Sequence, residues 1–411
     1  MVTVKPFCAV RAPRNKAAIV STRSYEAYPP DELAAQLKYN PFTFLHIISP
    51  SYNQNEAIRD EQKYQLIHDK YIEFKKLGHF VKDKFPAFYV YQKVIGDRSS
   101  CGIIALTSTH DYADNIIKKH EATLHNREVL FSDYLKTVGF NAEPVLLTYP
   151  DNEVIASILE KYQSKRAEYE FTDENDKDHY FWIINEDNDI SVIQKEFAAM
   201  NAIYIADGHH RCASSYLLSE NLRNENPKHT GNEEYNFFMS YLIPETDLII
   251  LEFNRLVKDL NGLSKEQFLE KLSVLYRIQN KGKQLYNPSK KHHFNMYLDG
   301  EFYSLYLKKD EFEIDNPLSD LDPQLLYTTV LKPILGIEDP SNEKRLSCVY
   351  SKQSPLLLKN SVDSGKYAVA FGMVPITIAQ LKAVADANLT MPPKSTYIFP
   401  KLRSGLTIYE F

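Results

Sequence analysis

Five consecutive residues in the middle of the chain have side chains suited to phosphate chemistry. They read Asp207-Gly208-His209-His210-Arg211. An apolar run at 202–206 precedes them, and an Ala-, Ser- and Leu-rich stretch follows them to residue 222, a pattern that predicts a buried strand, a turn and a helix. Because the first N–H groups of a helix are unpaired and the helix dipole is positive there, the turn predicts an anion site.

Each residue of this turn suits a different task at a phosphate. Gly208 permits close approach of the backbone, and Arg211 can bind two phosphate oxygens. His209 and His210 supply donors or a proton acceptor near neutral pH, and His210 is counted among the catalytic candidates. Asp207 can act as a general base, a Mg²⁺ ligand or a helix N-cap, and these three alternatives stay open.

A second polar cluster includes a carboxylate that could take part in proton transfer. The segment His120-Glu121-Ala122-Thr123-Leu124-His125 begins like a zinc-protease motif. Its histidines are five residues apart rather than four, so they do not share a helix face and the zinc-protease interpretation is rejected. Glu121 remains a candidate for proton abstraction or metal binding, with a capping role at a helix start as the alternative.

The C-terminal region combines prolines with cations. Residues 391–405 contain three prolines together with Lys394, Lys401 and Arg403, which are weaker candidates for phosphate contacts. Because proline restricts the backbone, ordering this segment loses less entropy than ordering an ordinary tail. We therefore expect it to dock near Asp207–Arg211, with a rigid tail bearing solvated charges as the alternative.

Composition limits the classes of partner and compartment. The 48 Lys and Arg against 54 Asp and Glu give a net charge of −6, which argues against a nucleic-acid partner. Four scattered cysteines without CxxC spacing indicate a reducing compartment, and apolar runs are far shorter than a membrane span. We expect a cytoplasmic protein with a small-molecule substrate, no nucleic-acid or membrane partner, and a homodimer as an open alternative.

The pattern of elements predicts an α+β protein with mixed sheets and a strand-turn-helix phosphate site in its N-terminal part. Strands are predicted at 87–92, 102–107, 144–149 and 180–184, and a helix over 57–77. The length of 411 residues indicates two domains or three. A polar stretch at 223–234 suggests a boundary between a nucleotide- or phosphate-binding domain, 1–228, and an α+β domain that closes the cleft, 235–411.

Several segments together resemble one bacterial and archaeal family, named domain of unknown function one thousand and fifteen. The carrying segments are Pro6-Phe7, Asn40-Pro41-Phe42-Thr43-Phe44-Leu45-His46, His120-Glu121-Ala122-Thr123, Ile205–Arg211, Asn254-Arg255-Leu256-Val257, Met391-Pro392-Pro393-Lys394-Ser395-Thr396 and Phe399-Pro400-Lys401. The chain departs from the family where Ser24-Tyr25-Glu26 stands in place of a Pro-Tyr-Asp segment.

The turn at 207–211 also looks like the phosphate-binding turn of a superfamily that includes sulfiredoxin, the chromosome-partition protein B and ADP- or ATP-dependent free-serine kinases. This resemblance implies a phosphotransferase that uses ATP or ADP with Mg²⁺ on a small hydroxyl metabolite, with free serine as a candidate. Gly208, His209, His210 and Arg211 would hold the phosphates, and Asp207 or Glu121 would take the hydroxyl proton or hold Mg²⁺. The alternatives are a nucleotide-binding regulator of the partition-protein type and a small-molecule hydrolase.

Overall fold

The computed structural model describes residues 1–50, 59–350 and 354–411. The chain forms two compact units. The first consists of Met1–Lys119, Thr123–Leu248 and Pro400–Phe411, and the second of His120–Ala122 and Ile249–Phe399. Both units combine helices with mixed or antiparallel sheets, so the predicted α+β class is confirmed.

The elements have the following bounds. The strands are β1 Val4–Lys5, β2 Val10–Arg11, β3 Val81–Lys82, β4 Phe88–Ile95, β5 Arg98–Ser108, β6 Ile117–Lys118, β7 Phe140–Asn141, β8 Val145–Tyr149, β9 Tyr169–Thr172, β10 Asp178–Ile184, β11 Ile203–Asp207, β12 Phe237–Pro244, β13 Ile249–Leu251, β14 Asn254–Val257, β15 Tyr276–Gly282, β16 His293–Leu298, β17 Glu301–Leu307, β18 Leu346–Val349, β19 Val369–Gly372, β20 Tyr397–Phe399 and β21 Tyr409–Glu410. The α-helices are α1 Ala17–Val20, α2 Pro30–Tyr39, α3 Leu45–Ile48, α4 Asp60–Lys76, α5 Thr109–Ala113, α6 His125–Val138, α7 Glu153–Gln163, α8 Asp187–Ala198, α9 His209–Glu225, α10 Lys265–Leu275, α11 Asp322–Leu326, α12 Ser354–Asp363 and α13 Ile378–Asp386.

A nine-stranded mixed sheet organises the first unit. Its order is β6-β11-β8-β12-β5-β4-β10-β9, and β1 also pairs with β5. The pairs β11–β6 and β12–β8 are parallel, and the other pairs are antiparallel. Its central strands are apolar along most of their length, as expected for a sheet buried on both faces.

The first unit extends further along the chain than the composition of 223–234 indicates. After α9, strand β12 inserts between β8 and β5 in the same sheet, so the unit continues to Leu248. The segment 400–411 also belongs to it: Ile408 pairs with Val10, and β21 pairs with β7. The expected boundary between 228 and 235 therefore falls inside the first compact unit, which continues to Leu248.

An antiparallel sheet of six strands, in the order β15-β17-β16-β19-β14-β18, forms the second unit. One face carries the larger apolar core, which includes residues of α10 and α11. A smaller cluster on other strand positions includes Leu358 of α12. In the parts of the chain that the structure describes, no helix is both long and apolar enough to cross a membrane.

Candidate functional site

The turn after β11 has the predicted strand-turn-helix form. Four buried apolar residues lead to Asp207, and α9 begins at His209. The pairing of β11 with β8 shifts register between Ile205 and Asp207, and such a bulge redirects the side chain that follows it. Gly208 occupies the N-cap position with φ 104° and ψ 31°, a left-handed conformation that favours glycine.

The space at 208 is also tight for any residue with a side chain. The guanidinium of Arg211 folds back over Gly208, and a Cβ at this position would lie 3.0 Å from both Nε and Nη2 of Arg211. In this position Arg211 donates through Nη1 to the Pro144 carbonyl at 2.7 Å and through Nη2 to Asp207 Oδ2 at 3.0 Å. Its side chain is 35% exposed, so a ligand can reach it.

Asp207 lies between two cations. Its Oδ2 accepts from Arg211, and its Oδ1 accepts from Lys401 Nζ at 2.9 Å. Burial raises the pKa of the Asp207 carboxyl, but the charges of Arg211 and Lys401 outweigh that effect and hold the pKa below its ordinary value. Asp207 is therefore ionised at neutral pH, and a low pKa suits cation binding better than proton abstraction.

Neither Asp207 nor the pair Glu121 and Thr123 caps a helix, so the capping alternative is wrong at both places. Gly208, not Asp207, is the N-cap of α9. Helix α6 begins only at His125, with Leu124 at its N-cap and no side-chain cap bond there. Glu121 lies before this helix in an irregular segment, where it is exposed, and Thr123 donates to the Glu128 carboxylate instead of capping.

The remaining predicted residues occupy different environments. His209 is buried and His210 is half-buried at the start of α9. Glu121 and Lys394 are exposed residues of the second unit. The role of both histidines, and the expected approach of Glu121 to Asp207, stay predictions.

The expected docking of the tail holds for the segment that begins at Pro400. Lys401 reaches Asp207, and its carbonyl accepts from Lys93 Nζ at 2.7 Å. Arg403 is 5% exposed, and it donates from Nε to Ser21 Oγ at 3.1 Å and from Nη1 to Asp173 Oδ2 at 3.3 Å. Because removing one partner of a buried ion pair is strongly destabilising, these contacts give Arg403 a structural role.

Glu143 is a neighbour of the turn that the sequence interpretation missed. Its Oε2 lies 3.9 Å from Arg211 Nη1, and its other oxygen accepts from the Ser404 hydroxyl. It directly precedes Pro144, just before β8, which pairs antiparallel with β11. The only available signal was this position, since the start of one antiparallel strand lies beside the end of its partner.

Clusters of side chains that could together hold a metal ion are absent from the part of the chain that the structure describes. Across residues 1–50, 59–350 and 354–411, no group of three or more His, Cys, Asp or Glu side chains could hold a metal ion. Mg²⁺ in phosphoryl-transfer sites commonly takes one or two carboxylates together with phosphate oxygens and water. Asp207 would take that smaller role only after Arg211 and Lys401, which contact its two oxygens, exchange Asp207 for phosphate.

Comparison with known proteins gives one family match. The family model described as "Protein of unknown function (DUF1015)" matches residues 4–324. Among curated proteins, none matches the chain.

Similar solved structures include three proteins of low sequence identity. SbnI with C-terminal truncation from Staphylococcus aureus is 13% identical, with 74% of this chain and 87% of that chain covered and a TM-score of 0.38. A conserved hypothetical protein from Pyrococcus furiosus is 12% identical, with 74% and 95% covered and a TM-score of 0.36. A free serine kinase in complex with AMP is 12% identical, with 74% and 92% covered and a TM-score of 0.35. The AMP is bound to that kinase.

Proposed function

The chain belongs to the DUF1015 family, and we propose that it is a nucleotide-dependent phosphotransferase that acts on a small hydroxyl metabolite, with free serine as the candidate acceptor. The observation that carries the proposal is the arrangement of Asp207 between Arg211 and Lys401 at the start of a helix of 17 residues. ATP or ADP would be the phosphate donor, with Mg²⁺.

Phosphate binding follows from the charges and dipoles at the turn. Helix amides and the helix dipole favour an anion beside Gly208. Arg211 and Lys401 add two positive charges, which face the carboxylates of Asp207 and Glu143. Both cations are partly exposed, at 35% and 42% of their side chains, so they can exchange a contact with Asp207 for one with phosphate. His209 and His210 would add donors at the same helix start.

Phosphoryl transfer needs a cation at the leaving phosphate and an acceptor for one proton. The acceptor hydroxyl oxygen forms a bond to the terminal phosphorus, the bond from phosphorus to the nucleotide oxygen breaks, and the hydroxyl proton passes to a carboxylate or to His210. Asp207, whose pKa is held below its ordinary value, would hold Mg²⁺ once Arg211 and Lys401 have turned from it to the phosphate. Glu121 is then the candidate that takes the proton.

The test is a search for product combined with one variant of the turn. The protein is incubated with ATP or ADP, Mg²⁺ and a mixture of hydroxylated metabolites including serine, and mass spectrometry identifies any new phosphorylated compound. Arg211→Ala should lower nucleotide affinity at least several-fold by calorimetry, because a charge-assisted hydrogen bond contributes about 1.5–3 kcal/mol. Arg223→Ala, near the other end of α9, is the matched control.

Three outcomes separate the candidate functions. A phosphorylated metabolite that disappears with Arg211→Ala supports the phosphotransferase. Nucleotide binding without any product favours a nucleotide-sensing regulator, and cleavage of a metabolite without nucleotide favours a hydrolase. Unchanged nucleotide affinity in folded Arg211→Ala removes the turn from the binding site.

A further inference from the structure

The second unit contains a buried cation that forms no ion pair with any residue the structure describes. Arg255, in β14, is 3% exposed. Its Nη1 donates to the Phe253 carbonyl at 3.0 Å and its Nη2 to the Pro393 carbonyl at 3.5 Å. Among the residues that the structure describes, no carboxylate forms an ion pair with it, and burial lowers its pKa. Carbonyl groups satisfy donors but leave the charge unbalanced, which is costly in a buried site.

A second cation lies beside the same phenylalanine. Lys394 Nζ is 5.7 Å from the centre of the Phe253 ring, and Lys394 is exposed. Its φ of 57° is unfavourable for a residue with a side chain, and the neighbouring turn is closed by the Ser395 hydroxyl, which donates to the Pro392 carbonyl at 2.6 Å. Strained backbone held by its surroundings is common at ligand sites.

Three segments singled out in the sequence converge at this place. Arg255 contacts the segment 391–396 through Pro393. The Met391 N–H donates to the His120 carbonyl at 2.9 Å, which adds the segment 120–122. The hydrogen bonds from Arg255 to Pro393 and from Met391 to His120 both lie within the second unit.

We propose that Arg255 and Lys394 form a second oxyanion site, in the second unit, for the phosphate or carboxylate group of a small ligand. Two positive charges flank Phe253, and the anion would supply the missing negative charge. Aromatic rings lie on one side of the site: Phe253 is 5.5 Å from Tyr397, whose ring stacks on Tyr350 at 3.6 Å. This site does not depend on the proposed reaction at Asp207.

Cys348 offers a local probe of this site. It stands directly opposite Arg255 in the β14–β18 pair, so both side chains project from the same face of the sheet, and it is half-buried. Its alkylation rate is measured by mass spectrometry in the full-length protein with inorganic phosphate, with acetate, and with potassium chloride at matched ionic strength. Cys8 and Cys101, both in the first unit, are internal controls.

Phosphate or acetate should slow alkylation of Cys348 at least about fivefold and leave Cys8 and Cys101 unchanged. Which of the two anions protects at lower concentration identifies the ligand group. Lys394→Gln should raise the protecting concentration about tenfold, equivalent to a loss of about 1.4 kcal/mol. Lys366→Gln, which removes an exposed lysine over the Tyr367 ring, should leave it unchanged.

Several results would overturn this proposal. Absence of protection by both anions, equal protection by chloride, or equal slowing of all three cysteines would each exclude an oxyanion at Arg255. An unchanged protecting concentration in folded Lys394→Gln would also exclude it. Loss of phosphotransferase activity, by contrast, would leave the Cys348 result unaffected.

Discussion

Replacement of Gly208 by alanine should destabilise the first unit through two separable effects. The first is conformational, because a residue with a Cβ at φ 104° costs about 1–2 kcal/mol. The second is steric, because the new Cβ would lie 3.0 Å from Nε and Nη2 of Arg211. The guanidinium must then shift by a few tenths of an ångström, which weakens its contacts with Pro144 and Asp207 and costs about 0.5–1 kcal/mol at this partly exposed position. We expect a total loss of about 1.5–3 kcal/mol in the free energy of unfolding.

A second glycine separates the two effects. Gly78 also has a positive φ, 68°, but no atom lies within 4 Å of a Cβ built there. Gly78→Ala should therefore show the conformational cost alone, about 1–2 kcal/mol. In an Arg211→Ala background, Gly208→Ala should show the same smaller cost, because the guanidinium that the Cβ displaces is gone.

The assay uses the only tryptophan of the chain. Trp182 lies in the core of the first unit and is 6% exposed, so its fluorescence during urea unfolding reports on that unit. The urea midpoints of Gly208→Ala, of Arg211→Ala and of the variant with both changes give the coupling energy between 208 and 211. Equal destabilisation by Gly78→Ala and Gly208→Ala, with no coupling to Arg211→Ala, would refute the position of the Arg211 guanidinium over Gly208.

Two further predictions concern charge in the first unit. Asp207→Asn should release Arg211 and Lys401 to bind phosphate, so calorimetry without Mg²⁺ should show nucleotide affinity kept or raised several-fold. Because the variant lacks the carboxylate proposed to hold Mg²⁺, phosphate transfer should fall at least about 100-fold. Weaker binding with unchanged transfer would contradict this. Burial lowers the pKa of His179 from 6.5 to about 4. Between pH 4 and 6.5 the unfolded chain therefore binds more protons at this histidine than the folded chain does. The free energy of unfolding should rise by about 3 kcal/mol from pH 4 to 6.5. His179→Gln should lack this rise in urea unfolding at several pH values, and an identical pH profile would show that His179 is not buried in its neutral form.

Local pattern was sufficient for the elements around the turn. The apolar run at 202–206 and the following helix appear as β11 and α9, and the strands predicted at 87–92 and 102–107 are β4 and β5. The helix predicted over 57–77 is α4, Asp60–Lys76, and positions 57–58 lie outside the described residues. These elements are fixed by hydrophobic periodicity within each segment, which a single sequence displays.

Long-range partners could not be derived in the same way. Asp207 and Lys401 are 194 residues apart, and the contact between Glu143 and Arg211 depends on the register of β8 against β11. Composition near residue 230 indicated a boundary, but a polar connection between α9 and β12 has the same composition as a linker. Only the pairing of β12 within the first sheet distinguishes these two cases.

The return of the chain to the first unit determines when that unit is finished during synthesis. Residues 249–399 of the second unit are made before 400–411. At about 5–20 residues per second, a ribosome needs roughly 8–30 s for a stretch of that length. During this interval Val10 lacks its backbone hydrogen-bond partner Ile408, and Asp207 lacks its ion pair with Lys401. A nascent chain therefore displays the turn at 207–211 before Lys401 can pair with Asp207, and we expect the proposed ligand binding there to begin only after residue 401 has been made.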